Sequence, residues 1–272
     1  MGSEMCIRDS YCWFGGKPLP EDAKMYIESW KKYLPNYEIK EWNETNFDLN
    51  CCDYVKEAYQ EKKWAFVSDY ARLWIIYNYG GIYFDTDVEL ISSPEPIIEN
   101  GAFLGCELNF EKELSGDTNQ TELVNPGLGF GAEPKKDFYR ELLNLYESQH
   151  FIDKNGDLNL ETIVVKTTRL LKGHGFTGND SIERVAGINI YSHEYFCPIN
   201  YRTGRISVTE KTVSIHHYQE SWLSALDKII NKIEQSRSGV GTLEYKVRRI
   251  VSKPFRGVNR LKKKGILGFL KK

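Results

Sequence analysis

The stretch FVSDYARLWIIYNYGGIYFDTDVELI, residues 66–91, limits the fold more than any other part of this chain. An aromatic, apolar run without Pro reads as a buried helix, Gly80-Gly81 halts it, and Ile82 to Leu90 alternates like a strand. The helix is expected to begin upstream, so that it spans Tyr54 to Tyr79. The same order occurs earlier. Pro18 to Leu34 reads as a turn and a helix with Met25, Ile27, Trp30 and Leu34 on or near one face. Pro35-Asn36 breaks that helix, and Tyr37 to Trp42 alternates as a strand. Helix-then-strand units in series predict an α/β fold with a mixed, mostly parallel sheet flanked by helices.

Further along, Ala102 to Glu107 reads as a short strand and Leu108 to Val124 as a polar loop. GLGFG (Gly127 to Gly131) leads into a helix near Pro134 to Ser148. Another helix is expected over Glu161 to Lys172. From Ile182 the pattern turns strand-rich through INIYS, YFCPI and TVSIHHY, and Trp222 opens a helix running to Gln235. No repeat or low-complexity linker interrupts the chain. The expected organisation is a segment 1–10 foreign to the rest of the chain, a single catalytic domain over 11–235, and a basic amphipathic tail over 236–272.

Composition adds three constraints. At 41% hydrophobic and 27% charged residues the chain is globular. The net charge of −2 hides a split: Arg248 to Lys272 holds ten Lys and Arg and no acid, leaving 26 basic against 38 acidic residues elsewhere. The six cysteines form no CxxC and no zinc-type spacing with His, which reads as reduced thiols in a cytosolic protein. An acidic body without a nucleic-acid motif argues against DNA or RNA as a partner.

Asp85 and Asp87 stand one residue apart where an apolar strand ends, the place at which open α/β sheets bind ligands. On a continuous strand both would face one side, and two like charges side by side call for a cation between them. Hard carboxylate oxygens suit Mg²⁺ or Mn²⁺, which keep positions open for phosphate. Asp69 and Arg72 lie three apart on the buried-looking helix, beside Phe66, Tyr70, Leu73, Trp74 and Tyr77. A charged pair in such surroundings needs a partner or a task.

The run SDYARLWIIYNYGGIYFDTD resembles glycosyltransferase family 32, the sugar-binding region containing a DXD motif, which includes bacterial capsule and lipopolysaccharide transferases and yeast mannosyltransferases. The glucosyltransferase domains of clostridial toxins are distant relatives. The similarity extends from YCWFGGKPLP (Tyr11 to Pro20) to IHHYQESW (Ile215 to Trp222). The resemblance implies an A-type glycosyltransferase fold, Rossmann-like, and a retaining reaction with Mn²⁺ or Mg²⁺. It implies that Asp87 binds the metal, with Asp85 beside it on the ribose or donor sugar, and that Asp69 and Arg72 hold that sugar. It implies Trp13 stacked on the base, Tyr83 beside the nucleotide and Asn125 on the sugar. Ser221 and Trp222 would touch the diphosphate, and of the adjacent His216 and His217, His217 is favoured as the further metal contact.

The implied function is transfer of a hexose from a nucleotide-diphosphate sugar, with UDP-galactose or UDP-glucose favoured and GDP-mannose an option. The acceptor would be a glycan or lipid-linked hydroxyl in bacterial surface polysaccharide biosynthesis. The alternatives are a nucleotide-sugar hydrolase, which would require more metal ligands, and a non-catalytic carbohydrate-binding protein, which would not need the four charged residues. Family members open with an apolar strand, and MGSEMCIRDS stands in its place, so a compromised first strand is expected. The basic, apolar-studded tail suits peripheral contact with an anionic surface, which would put the protein in the cytoplasm, at the inner face of the cytoplasmic membrane.

Overall fold

The computed structural model describes residues 8–109, 122–200 and 205–219. Among them the order is β1 (Arg8–Cys12), α1 (Glu21–Tyr33), β2 (Glu38–Trp42), α2 (Asp53–Gln60), α3 (Trp64–Tyr79), β3 (Gly81–Tyr83), β4 (Val88–Leu90), α4 (Glu95–Glu99), β5 (Phe103–Leu108), β6 (Glu122–Val124), β7 (Phe130–Ala132), α5 (Asp137–Glu147), α6 (Ile163–Gly173), β8 (Glu183–Val185), β9 (Ile188–Tyr191), α7 (His193–Phe196), β10 (Ile199–Asn200), β11 (Arg205–Ile206) and β12 (Ser214–His216). The main sheet runs β2-β1-β3-β7-β5-β9-β8, with β6 on β5. β2, β1 and β3 pair in parallel, as do β5 and β9, while β7 runs antiparallel between β3 and β5. This is the mixed, mostly parallel α/β sheet that the helix–strand order predicts.

Residues 8–10 belong to the sheet. Arg8, Asp9 and Ser10 open β1, which pairs with β2 on one side and β3 on the other, so the expected loss of a first strand is not found. One residue fits this position badly. Asp9 is fully buried, neither carboxyl oxygen has a hydrogen-bond partner, and burial pushes its pKa well above the usual carboxylate range. Residues 1–7, the expected helix from Trp222 and the basic tail lie outside the described residues.

Three expected elements divide. The helix foreseen over Tyr54 to Tyr79 is α2 and α3, separated at Lys62, whose φ is 56°. The Lys62 amide donates to Tyr59 O (2.9 Å) and the Lys63 amide to Ala58 O (2.9 Å), which is the paired closure of a helix C-terminus that glycine normally supplies. The strand foreseen over Ile82 to Leu90 is β3 and β4, split by a turn in which the Val88 amide donates to Asp85 O (3.0 Å). β4 leaves the main sheet and pairs antiparallel with β12, setting His216 opposite Val88. In the third case, YFCPI divides between the end of α7 and the start of β10.

Two apolar clusters hold the layers. One packs α2, α3 and α5 on a face of the sheet through Tyr54, Tyr70, Ile76, Leu142 and Tyr146. The other holds α1 against β3 and β4 through Ile27, Trp30, Phe84 and Val88, and the Trp30 indole donates to Val88 O (2.8 Å). Met25, expected on that inner face, is 59% exposed. No helix among the described residues is long and apolar enough to cross a membrane.

Candidate active site

A cleft of about 510 Å³ opens where β1 and β3 end. Trp13, Asp69, Arg72, Asp85, Asp87 and Asn125 all line it, although they are spread over more than a hundred residues of sequence. A second depression, of about 530 Å³ along residues 149–159, brings together none of the predicted site residues.

Arg72 is the centre of the charged set. α3 buries it, leaving its side chain 5% exposed. Its Nε donates to Ser68 O (3.2 Å), its Nη2 lies 3.3 Å from Asp69 Oδ1, and its Nη1 lies 3.1 Å from both Asp85 oxygens. The guanidinium also sits over the Tyr83 ring at 4.9 Å. Burial opposes its charge, but Asp85 above all keeps Arg72 more basic than usual. Asp69 behaves in the opposite way. Burial lifts it to about 6 against the attraction of Arg72.

Tyr83 does not stand beside the cleft. It is 1% exposed, because β3 is covered on both faces, and its hydroxyl donates to Asp85 Oδ1 (2.9 Å). Its position supports Asp85 from below, in place of the nucleotide contact expected of it. Gly127 presses on the same carboxylate from another side. A Cβ there would lie 2.3 Å from Asp85 Oδ2, 3.0 Å from Asn125 Oδ1 and 3.2 Å from Arg72 Nη1. Its carbonyl accepts from the Asp85 amide (3.1 Å), and its amide donates to Asn125 Oδ1 (2.7 Å). Asn125 is buried and gives its Nδ2 to Glu107 Oε2 (2.7 Å).

Asp87 faces β12. His216 Nε2 is 3.2 Å from its Oδ1, the Gln219 amide donates to its Oδ2 (2.9 Å), and the His217 amide donates to its carbonyl (2.9 Å). Burial alone would raise its pKa, but the charge and hydrogen bond of His216 and the Gln219 amide hold it down to about 2. For His216, burial disfavours the proton, and Asp87 more than reverses this, so its pKa rises.

The favoured histidine is corrected by this geometry. His217 turns away, with Nε2 2.9 Å from Glu89 Oε2 and its ring stacked on Tyr26 at 4.5 Å. The β12–β4 register puts successive residues on opposite faces, and His216 is the one beside the carboxylates.

The Asp85, Asp87 and His216 donors lie within 4.8 Å of one another. His216 Nε2, 3.2 Å from Asp87 Oδ1, is the ring nitrogen that faces the carboxylates, while Nδ1 is buried with no hydrogen-bond partner. Two carboxylates and an imidazole fit a divalent cation of the Mn²⁺ or Mg²⁺ class.

Of the nucleotide contacts expected, Trp13 lines the cleft, half-buried, with its indole N–H given to Lys17 O (2.6 Å). Ser221 and Trp222 lie outside the described residues. Sequence reasoning missed Gly127, Glu107 and Tyr218. Tyr218 lines the cleft with a left-handed backbone (φ 48°), its ring against His216 at 4.2 Å and its hydroxyl on Glu107 Oε2 (2.9 Å). The Pro126-Gly127 pair carries a visible turn signal, whereas Glu107 and Tyr218 carry none.

Among solved structures the chain is similar to a PaToxG glycosyltransferase, at 16% identity over 62% of this chain and 69% of that one, with a TM-score of 0.42. It is similar also to the galactosyltransferase LgtC in complex with donor and acceptor sugar analogs, at 13% identity over 92% of this chain and 99% of that one, with a TM-score of 0.41. An active-site mutant of LgtC matches at 14% identity over 77% of this chain and 86% of that one, with a TM-score of 0.40. No curated protein sequence matches the chain. Residues 20–104, which hold Asp69, Arg72, Asp85 and Asp87, match the family described as glycosyltransferase sugar-binding region containing DXD motif.

Proposed function

We propose that this glycosyltransferase moves a hexose from a nucleoside-diphosphate sugar to an acceptor hydroxyl, with retention at the anomeric carbon and dependence on a divalent cation. The observation that carries the proposal is the convergence of Asp85, Asp87 and His216 in the cleft that also holds the Asp69–Arg72 pair.

Trp13 offers a flat apolar face to the base. Asp69 accepts hydrogen bonds from sugar hydroxyls while Arg72 fixes its carboxylate, which orients the anomeric carbon towards the acceptor. Asp85 is held by Arg72 and Tyr83 and presents its remaining lone pairs to donor hydroxyls. Asp87, Asp85 and His216 would hold Mn²⁺ or Mg²⁺, which when bound neutralises the charge growing on the departing diphosphate. Asn125, anchored by Glu107, lends the sugar an amide. No side chain is assigned as a covalent nucleophile.

The donor proposed is UDP-galactose or UDP-glucose ahead of GDP-mannose, and the acceptor a glycan or lipid-linked hydroxyl in bacterial surface polysaccharide assembly. Support for contact with an anionic membrane face is the basic, apolar-studded sequence of the tail alone.

The test is nucleotide release from a panel of UDP- and GDP-sugars with Mn²⁺ or with EDTA, for the wild type and Asp87→Asn. Slow Mn²⁺-dependent release from one donor, lost in Asp87→Asn, is the expected result, with faster turnover once an acceptor is supplied. Release that no acceptor accelerates would favour a nucleotide-sugar hydrolase. An absence of both turnover and donor binding would overturn the reading.

A further inference from the structure

Away from the cleft, three ligating side chains meet where β6, the loop before β8 and α7 come together. His193 Nδ1 lies 2.8 Å from Glu122 Oε1 and 3.4 Å from Asp180 Oδ1. All three donors fall within 4.8 Å of one another. None of them lines the cleft.

We propose that Glu122, Asp180 and His193 form a second divalent-cation site, of the borderline class typified by Zn²⁺, which fastens the start of β6 to the start of α7. Three observations carry it. Metal–ligand bonds of about 2.0–2.2 Å in tetrahedral or octahedral geometry set neighbouring donor atoms about 2.8–3.6 Å apart, and both measured separations fall in that interval. Glu122 is 1% exposed, and its Oε2 has no hydrogen-bond partner, an expensive state for a buried carboxylate. Its Oε1 accepts from the His193 amide (2.5 Å) and lies 2.8 Å from the His193 ring Nδ1, a spacing that suits a hydrogen bond or a shared cation. Charge is the third. Two carboxylates and a neutral imidazole balance a dication, whereas a protonated imidazole leaves the set one charge negative, with a buried oxygen uncompensated.

The nearby acid Glu183 does not compete, because both its oxygens are taken by the Thr177 and Gly178 amides (2.9 and 2.8 Å). The ligand set of two oxygens and one nitrogen matches a borderline ion better than Ca²⁺, which takes six or more oxygens. β6 runs from Glu122 to Val124 and hands the chain directly to Asn125 in the cleft. A cation at Glu122 would therefore steady the strand that delivers Asn125.

The experiment is equilibrium dialysis of the full chain against Zn²⁺ in an Asp87→Asn background, which removes a ligand of the cleft site and makes the outcome independent of the transfer reaction. One tightly held equivalent is expected. Adding Asp180→Asn, at a side chain 59% exposed and so tolerant of change, should weaken that binding at least tenfold. His193→Gln should do the same, and Zn²⁺ should raise the Tm of Asp87→Asn but not of the double variants. No bound equivalent in Asp87→Asn, or an equivalent that neither added substitution weakens, would overturn the assignment. An absence of donor turnover in the wild-type protein, with the Zn²⁺ equivalent retained in Asp87→Asn, would refute the proposed reaction and leave this site standing.

Discussion

Gly127→Ala isolates the packing behind the carboxylate pair. Gly127 does not have a left-handed backbone, so the added methyl brings no conformational strain and acts through contact alone. The new Cβ would lie 2.3 Å from Asp85 Oδ2, against an ordinary contact of 3.4 Å or more, so the carboxylate must retreat by about 1 Å. It has nowhere to go without loss. Oδ2 accepts from Arg72 Nη1 at 3.1 Å, and Oδ1 accepts from the Tyr83 hydroxyl at 2.9 Å. A shift of that size gives up at least one hydrogen bond to a charged group, worth about 1.5–3 kcal/mol. A misplacement of about 1 Å in a reacting constellation costs roughly a hundredfold in rate, or about 2.7 kcal/mol in the barrier. Donor kcat/KM, measured by nucleotide release, should therefore fall about a hundredfold. Thermal unfolding should report a loss of about 1–3 kcal/mol, the usual cost of overpacking. Gly173→Ala on α6 is the control, since a methyl group there would meet nothing within 4 Å, and it should match the wild type in both assays. A Gly127→Ala enzyme within threefold of wild-type kcat/KM would refute the idea that a rigidly held Asp85 matters.

His216→Asn should abolish metal-dependent donor turnover, while His217→Asn, which loses only a bond to Glu89 and a ring contact with Tyr26, should retain it within about tenfold; equal losses in paired kinetic assays would contradict the assignment. Lys166 is fully buried, with its ammonium on Glu161 O and Oε2 (both 3.0 Å), so Glu161→Ala should cost about 3–5 kcal/mol in urea unfolding and Lys166→Met distinctly less. The Asp87–His216 pair predicts a pH window for the metal-free protein. Asp87 is lowered from 3.8 to about 2, so its contribution is present above 3.8 and lost as pH falls towards 2. His216 is raised above 6.5, so its contribution is present below 6.5 and lost as pH rises through its folded value. The stability difference between wild type and His216→Asn in EDTA should thus be largest between about pH 4 and 6.5 and shrink on both sides; a flat difference across that range would count against the pairing. Because a metal must displace the proton on His216, cation affinity should rise with pH over the same interval where stability from the pair declines.

Local pattern was enough for much of this molecule. The periodic run into Gly80-Gly81 announces a buried helix followed by a strand, since helix and strand periods are properties of neighbouring residues and glycine stops are backbone chemistry. Asp69 and Arg72 on α3, charged in apolar surroundings, and Asp85 and Asp87, two like charges where β3 ends, were legible as candidates, and the fold gathers all four in one cleft, because such charges are costly to hold without partners. The break at Lys62 was not legible, because a lysine there adopts the conformation that sequence rules reserve for glycine. The split between β3 and β4 was hidden because Phe84 to Asp87 looks like a continuing strand until Asp85 is tied to Gly127 and β4 is claimed by β12. Nor could adjacent histidines be told apart. Which one meets Asp87 is fixed by the register of β12 against β4, a pairing between residues more than 120 positions apart. Helix and strand content and the identity of the buried charges are thus written in the order of residues, because they follow from nearest neighbours and from the cost of desolvation. The side chains that close around those charges, Gly127, Tyr83, Glu107 and His216, are selected by the folded chain, because distance across the fold is set by pairing and packing that no local stretch encodes.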